Sequence, residues 1–135
     1  MRPRAVAAGS SSRAAGLQAR RLEKGKADFD RLSGDARRNK RRDTWELVIR
    51  ELESAFSAAP KGPRALESAA LAARAREELW AASRRKPDAV AAIEAYRHVD
   101  EAGPGTPEAA AALSRAVNLA RHIGDAETAT SVASV

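Results

Sequence analysis

His98 and His122 are the two histidines of this 135-residue chain, and there is no cysteine to join them. A hydrolytic zinc site usually takes three protein ligands, and these two fall on different predicted helices. Glu94 precedes His98 by four residues and shares its helix face; Asp125 follows His122 by three. Both pairs read as solvated surface. No phosphate-binding Gly-x-x-x-x-Gly-Lys-Ser/Thr loop, dinucleotide fingerprint or nucleophile elbow occurs, and Gly103-Pro104-Gly105 reads as a turn. The expectation is a chain that is not an enzyme and needs no metal or cofactor.

The other residues with chemistry to offer are cations. Arg37, Arg38, Lys40, Arg41 and Arg42 form a cluster of the kind that binds phosphate backbones by releasing counterions. It lacks interleaved aromatics, so base stacking is not suggested. A solvated linker is the favoured reading, with nucleic acid or another anionic surface second. Trp45 and Trp80 have the side chain that most often anchors an interface. Trp45 lies on a continuous apolar stripe and is expected in the core, while Trp80 is expected at the edge of its helix face.

The net charge of +6 divides unevenly. Residues 1–42 hold 13 Lys or Arg against four acids, a net +9, and residues 43–135 hold 11 against 14, a net −3. The basic excess thus belongs to the N-terminal arm, and the chain-wide charge says little about partners of the body. Residues before Glu23 are rich in Arg, Ala and Ser and free of acids, the composition of a disordered tail or a transit peptide. The apolar stretch Ala5 to Ala8 is short of a secretory h-region, and no apolar run reaches the roughly 20 residues that span a bilayer. As written, the chain is expected in the cytoplasm.

Helical periodicity supplies the elements. Leu22, Gly25, Phe29 and Leu32 share one face before Ser33-Gly34-Asp35 breaks the pattern. Asp43, with Glu46 three residues on, is expected to cap a helix whose stripe is Trp45, Val48, Ile49, Leu52 and Phe56. Pro60-Lys61-Gly62-Pro63 ends it and opens another, from about Arg64 to Arg84, with Ala65, Ala69, Ala72, Ala75 and Leu79 on one face. After Lys86-Pro87-Asp88 the stripe returns as Ala89, Ala92, Ile93, Tyr96 and Val99. Each of these lies 44 residues beyond Trp45, Val48, Ile49, Leu52 and Ala55, and Pro104, Pro107 and Ala109 lie 44 beyond Pro60, Pro63 and Ala65. A helix, a proline turn and a second helix recurring at a fixed offset are the mark of stacked helical hairpins. The last helix is expected to start at Thr106-Pro107-Glu108, to pack through Leu113, Ala116, Ala120 and Ile123, and to stop at Gly124.

The predicted fold is all-α, a short tetratricopeptide-like helical-hairpin array of period 44, or α-solenoid fragment. Its parts are a disordered basic tail over 1–16, a helix and basic linker over 17–42, repeats over 43–86 and 87–124, and a frayed stub over 125–135. Trp45, Ile49, Leu52, Ile93, Tyr96 and Leu113 are the expected packing residues. Two repeats are fewer than the three or so that bury a continuous core, so self-association, or a protein or peptide partner, is expected.

Several segments carry a resemblance. They are Ala27-Asp28-Phe29-Asp30-Arg31-Leu32, Arg42-Asp43-Thr44-Trp45-Glu46-Leu47-Val48-Ile49, Pro60-Lys61-Gly62-Pro63-Arg64-Ala65, Ser83-Arg84-Arg85-Lys86 and Ala92-Ile93-Glu94-Ala95-Tyr96-Arg97. From Lys26 to about Ile123 the chain resembles the tetratricopeptide-like, non-catalytic N-terminal region of N-acetylmuramoyl-L-alanine amidases from deltaproteobacteria, including myxobacteria. The resemblance implies a docking or scaffolding role beside a zinc amidase domain that cuts peptidoglycan, and a location at the cell envelope or periplasm.

Overall fold

The structure is a computed structural model that describes the backbone of residues 3–134 and the side chains of residues 12–124. Its elements are α1 (Pro3–Ser33), a 3-10 turn at Arg38–Lys40, α2 (Arg42–Ala58), α3 (Ala65–Ser83), α4 (Lys86–Ala102) and α5 (Pro107–Ser134). No strand occurs among the described residues. The fold is all-helical, and each helix packs on the next in sequence. Helix α1 starts well before Leu17: the backbone of the stretch 1–16, expected to be disordered, is helical from Pro3, with Met1 and Arg2 outside the described residues. Ala and Arg are strong helix formers and proline suits a first helical position, so local propensity favours this start.

Helix α2 begins one residue earlier than its expected cap. Arg41 is extended and Arg42 already helical, so Asp43 sits inside the first turn and makes no side-chain cap. Its carboxylate instead accepts from Arg41, with Nη2 to Oδ2 at 2.9 Å, and Glu46 pairs with Arg42 at 3.3 Å. The entry is tied down by Thr44 and Trp45. Thr44 Oγ1 lies 2.7 Å from the Arg38 carbonyl and 2.9 Å from that of Arg41, and the Trp45 indole N–H donates to the Asn39 carbonyl at 2.7 Å. At the start of α5 the expected cap is present: Thr106 Oγ1 accepts from the Ala109 N–H at 3.1 Å.

Two apolar clusters share α3. Leu22, Phe29, Trp45, Ile49 and Leu52 meet Ala72, Ala75 and Leu79 in one; Ile93, Tyr96, Val99, Ala112, Ala116 and Leu119 meet Ala69 and Ala73 in the other. This is why α3 is built on alanine: a helix buried on two faces needs small residues so that backbones on both sides come close. Phe29 stacks edge-on against Trp45, with centroids 5.4 Å apart. Gln18 is fully buried beside the first cluster and seals the α2–α3 turn. Its Nε2 donates to the carbonyls of Ala55 at 3.1 Å and Ala59 at 2.8 Å, while its Oε1 accepts from the Arg64 N–H at 3.0 Å. Helix α3 ends at Arg84, which takes the left-handed conformation with φ 56° and places its guanidinium 4.5 Å above the Trp80 ring.

Two expectations about α5 are corrected. Leu113 does not pack: it is 40% exposed, and Ala120 is exposed too, while Ala109, Ala112, Ala116 and Leu119 are buried. Ala116 is buried and Ile123 packs against the second cluster as expected, but one residue along a helix is a rotation of about 100°, so Leu113 and Ala120 fall beside the buried face. Gly124 does not stop the helix either; α5 continues to Ser134. A glycine that adopts no left-handed backbone here leaves the hydrogen-bonded spiral unbroken, at a cost near 1 kcal/mol against alanine.

Helices α1, α3 and α5 touch in order as one layer, and α2 and α4 lie across them. The main chains of α2 and α4 stand apart, and side chains bridge them at Phe56–His98 and Arg42–Asp88. The space between them, with α3 as its floor, is an open groove.

Candidate docking groove

The groove has a volume of about 690 Å3, within the range of clefts that hold ligands. Glu53, Phe56 and Ser57 of α2 form one wall, Ala91, Glu94, Ala95 and His98 of α4 the other, and Ala69, Ala72 and Arg76 of α3 the floor. Phe56 and His98 meet edge to face, with centroids 4.8 Å apart. Arg76 is fixed to Glu53 through Nε at 2.9 Å and Nη2 at 2.7 Å, both to Oε2. That pairing uses one carboxylate oxygen and two of the five guanidinium donors. Glu94 is exposed and makes no ion pair among the described residues. The groove thus offers a small-residue floor, an aromatic contact, one held cation and one exposed carboxylate. Those are the parts that seat an apolar side chain and orient a polar backbone.

The helix interiors place the remaining candidates elsewhere. Trp45, Ile49, Leu52, Ile93 and Tyr96 are all buried, and Trp80 is half-buried at the margin of the second cluster. His98 and His122 are both exposed and are not brought together: His98 faces Phe56, and His122 lies 5.8 Å from the Trp80 ring. Glu94 and His98 do share the groove wall, while the side chain of Asp125 lies outside the described residues. No group of three or more metal-ligating side chains occurs among the described residues, and none of their helices is long and apolar enough to cross a membrane.

The basic segment is largely occupied by its own carboxylates. Arg38 pairs with Asp35 at 3.8 Å, Arg41 with Asp43 at 2.9 Å, and Arg42 with Glu46 and with Asp88. Arg37 and Lys40 are exposed, with no ion pair among the described residues. Asp88 fastens the start of α4, accepting from the Ser83 hydroxyl at 2.5 Å as well as from Arg42. Burial works to raise the Asp88 carboxyl, but the Ser83 and Arg42 hydrogen bonds outweigh it and hold the group below the usual carboxylate range. Arg42 therefore ties α2 to α4 rather than facing outward with its neighbours.

On the opposite side of α4, the Tyr96 hydroxyl donates to Glu77, which also accepts from Arg115 at 3.0 Å. Burial, followed by the hydrogen bond and charge of Glu77, pushes the phenol well above its ordinary value.

Sequence reasoning placed Phe56 in the core stripe and read His98 and Glu94 as plain surface. The groove gathers them because α2 and α4 stand on the same side of α3. The signal was the 44-residue offset in the sequence, which separates the starts of α2 and α4 at residues 42 and 86. The chain matches no protein-family model, no curated protein and no solved structure.

Proposed function

We propose that the chain is a non-catalytic docking module, a short tetratricopeptide-like array in which a protein or peptide segment is held in the groove between α2 and α4. The repeat reading is supported at the level of backbone geometry. Helices α2 and α4 begin and end 44 residues apart, at 42 and 86 and at 58 and 102. Their flanking residues follow the same shift: Arg41 (φ −97°, ψ 133°) corresponds to Arg85 (φ −92°, ψ 133°), and Ala59 (φ −155°, ψ 81°) to Gly103 (φ −146°, ψ 63°).

The observation that carries the function is the groove itself, an open cleft with an alanine floor, the Phe56–His98 contact and polar groups on its walls. An amphipathic segment laid there would bury apolar side chains on Ala69 and Ala72 and reach Arg76 or Glu94 with polar ones, a helix-in-groove or extended-peptide mode. The amidase resemblance gives this role a setting, as the scaffold part of peptidoglycan-cleaving machinery at the cell envelope.

A photo-cross-linking amino acid at Ser57 tests the proposal. In a cell-envelope extract it is expected to capture a protein partner, and the Ala91→Arg substitution, which fills the opposite wall, is expected to abolish capture. A probe at exposed Ala111 on α5 serves as control. Equal capture from both positions, or capture unaffected by Ala91→Arg, would contradict the proposal. If the partner is instead nucleic acid, binding falls steeply with salt and is lost on neutralising Arg37 and Lys40.

A further inference from the structure

Helix α5 carries an apolar stripe that no helix covers among the described residues. Ala110, Leu113, Val117 and Ala120 are all exposed, Leu113 by 40% and Val117 by 50%. Shifted back by 44, these positions are Leu66, Ala69, Ala73 and Arg76 of α3, and by a further 44 they are Leu22, Gly25, Phe29 and Leu32 of α1. The α1 set packs on α2, and Leu66, Ala69 and Ala73 pack on α4. The same register on α5 therefore marks a surface shaped for a helix.

The other end of the array is different. Residues 65, 68, 72, 75 and 79 of α3 are apolar or small and buried, and Ala72, Ala75 and Leu79 pack with α2; the residues 44 before the five are Arg21, Lys24, Asp28 and Arg31 of α1 and Asp35 just past its end. Asp28 pairs with Lys24 at 2.9 Å and also with Arg31. An α5 stripe from another copy cannot seat on that face without stripping water from charges it does not match. Head-to-tail stacking of copies is thereby disfavoured.

The α5 stripe does match itself. Its spacing is three, four, three and its sizes run small, large, large, small. An antiparallel two-fold axis sets Ala110 against Ala120 of the second copy and Leu113 against Val117. The alanines permit close approach at the ends, and the Leu and Val fill the centre. We propose that α5 pairs antiparallel with α5 of a second copy, giving a closed two-fold dimer through an isologous patch. The proposal rests on the 44-residue register and not on the occupant of the groove, whose test uses other variants.

Sedimentation equilibrium on the full chain tests it. The expected species has twice the monomer mass of 14.4 kDa and dissociates on dilution. Leu113→Lys alone and Val117→Glu alone are each expected to give monomer with unchanged helical circular dichroism, since both sites are exposed. Mixing the two variants is expected to restore a dimer, because the new charges meet across the axis. A wild-type mass that stays at 14.4 kDa, a dimer indifferent to Val117→Glu, or a mixture that remains monomeric would each overturn the pairing. So would open-ended growth with concentration. Monomers that instead bind a synthetic helix bearing the α4 stripe would assign the face to another partner and overturn it as well.

Discussion

Tyr96 and Gln18 show how single side chains hold this small, alanine-rich body together. Tyr96 is buried, donates to Glu77 and is the chain's one tyrosine, so its titration can be followed without overlap. Its phenol is raised above the ordinary value of 10.0. The stability it contributes is therefore complete below pH 10 and is lost as pH climbs through the raised value, because the unfolded chain gives up the proton first. Urea unfolding across alkaline pH is expected to show a steeper loss of stability in wild type than in Tyr96→Phe, with the substitution costing about 1 kcal/mol at neutral pH. Equal alkaline slopes would contradict this placement. Tyr96 was legible because its neighbours Ala92, Ile93 and Val99 set out a helix face. Gln18 was not legible: its partners lie 37, 41 and 46 residues away, and nothing local distinguishes a buried glutamine from a solvated one.

At the scale of elements, helices whose buried residues form one stripe were read well, and α3, buried on two faces, was not. Helix α2 has a single continuous stripe, and every member from Trp45 to Leu52 is buried. On α3, attention to one face found Ala65, Ala69, Ala72, Ala75 and Leu79 but missed Ala73 and Ser68, which are buried as well. A helix between two clusters loses the polar side that makes periodicity visible. On α5, which packs mainly on α4, the cause is different: its larger residues Leu113 and Val117 lie on the uncovered side, so residue size pointed away from the buried alanines. The two-sided role of α3 has a measurable consequence. Ala73→Leu forces extra volume between α3 and α4 and is expected to cost about 1–3 kcal/mol in chemical unfolding, whereas Ala111→Leu on the exposed side of α5 is expected to stay within about 0.5 kcal/mol of wild type. A neutral Ala73→Leu would mean that α3 and α4 are not closely packed there.

Across the whole molecule, the proposed units are α2 with α3 and α4 with α5, preceded by α1, and the same 44-residue shift carries α1 toward α3 and α3 toward α5. In the proposed array the outer face of α1 is charged and that of α5 is apolar. If the 44-residue unit is the basis of the fold, stability arises from contacts between neighbours and grows when units are added. The most direct measurement is urea unfolding of a chain in which residues 65–108 are repeated in tandem. A second copy of α3 would start from the turn that now starts α5 and meet α4 through Ala65, Ser68, Ala72, Ala75 and Leu79, the counterparts of Ala109, Ala112, Ala116, Leu119 and Ile123. The account predicts a folded chain with helicity per residue retained, a larger denaturant dependence and a midpoint at or above that of the parent. An aggregated product, or a midpoint below the parent's, would contradict the repeat.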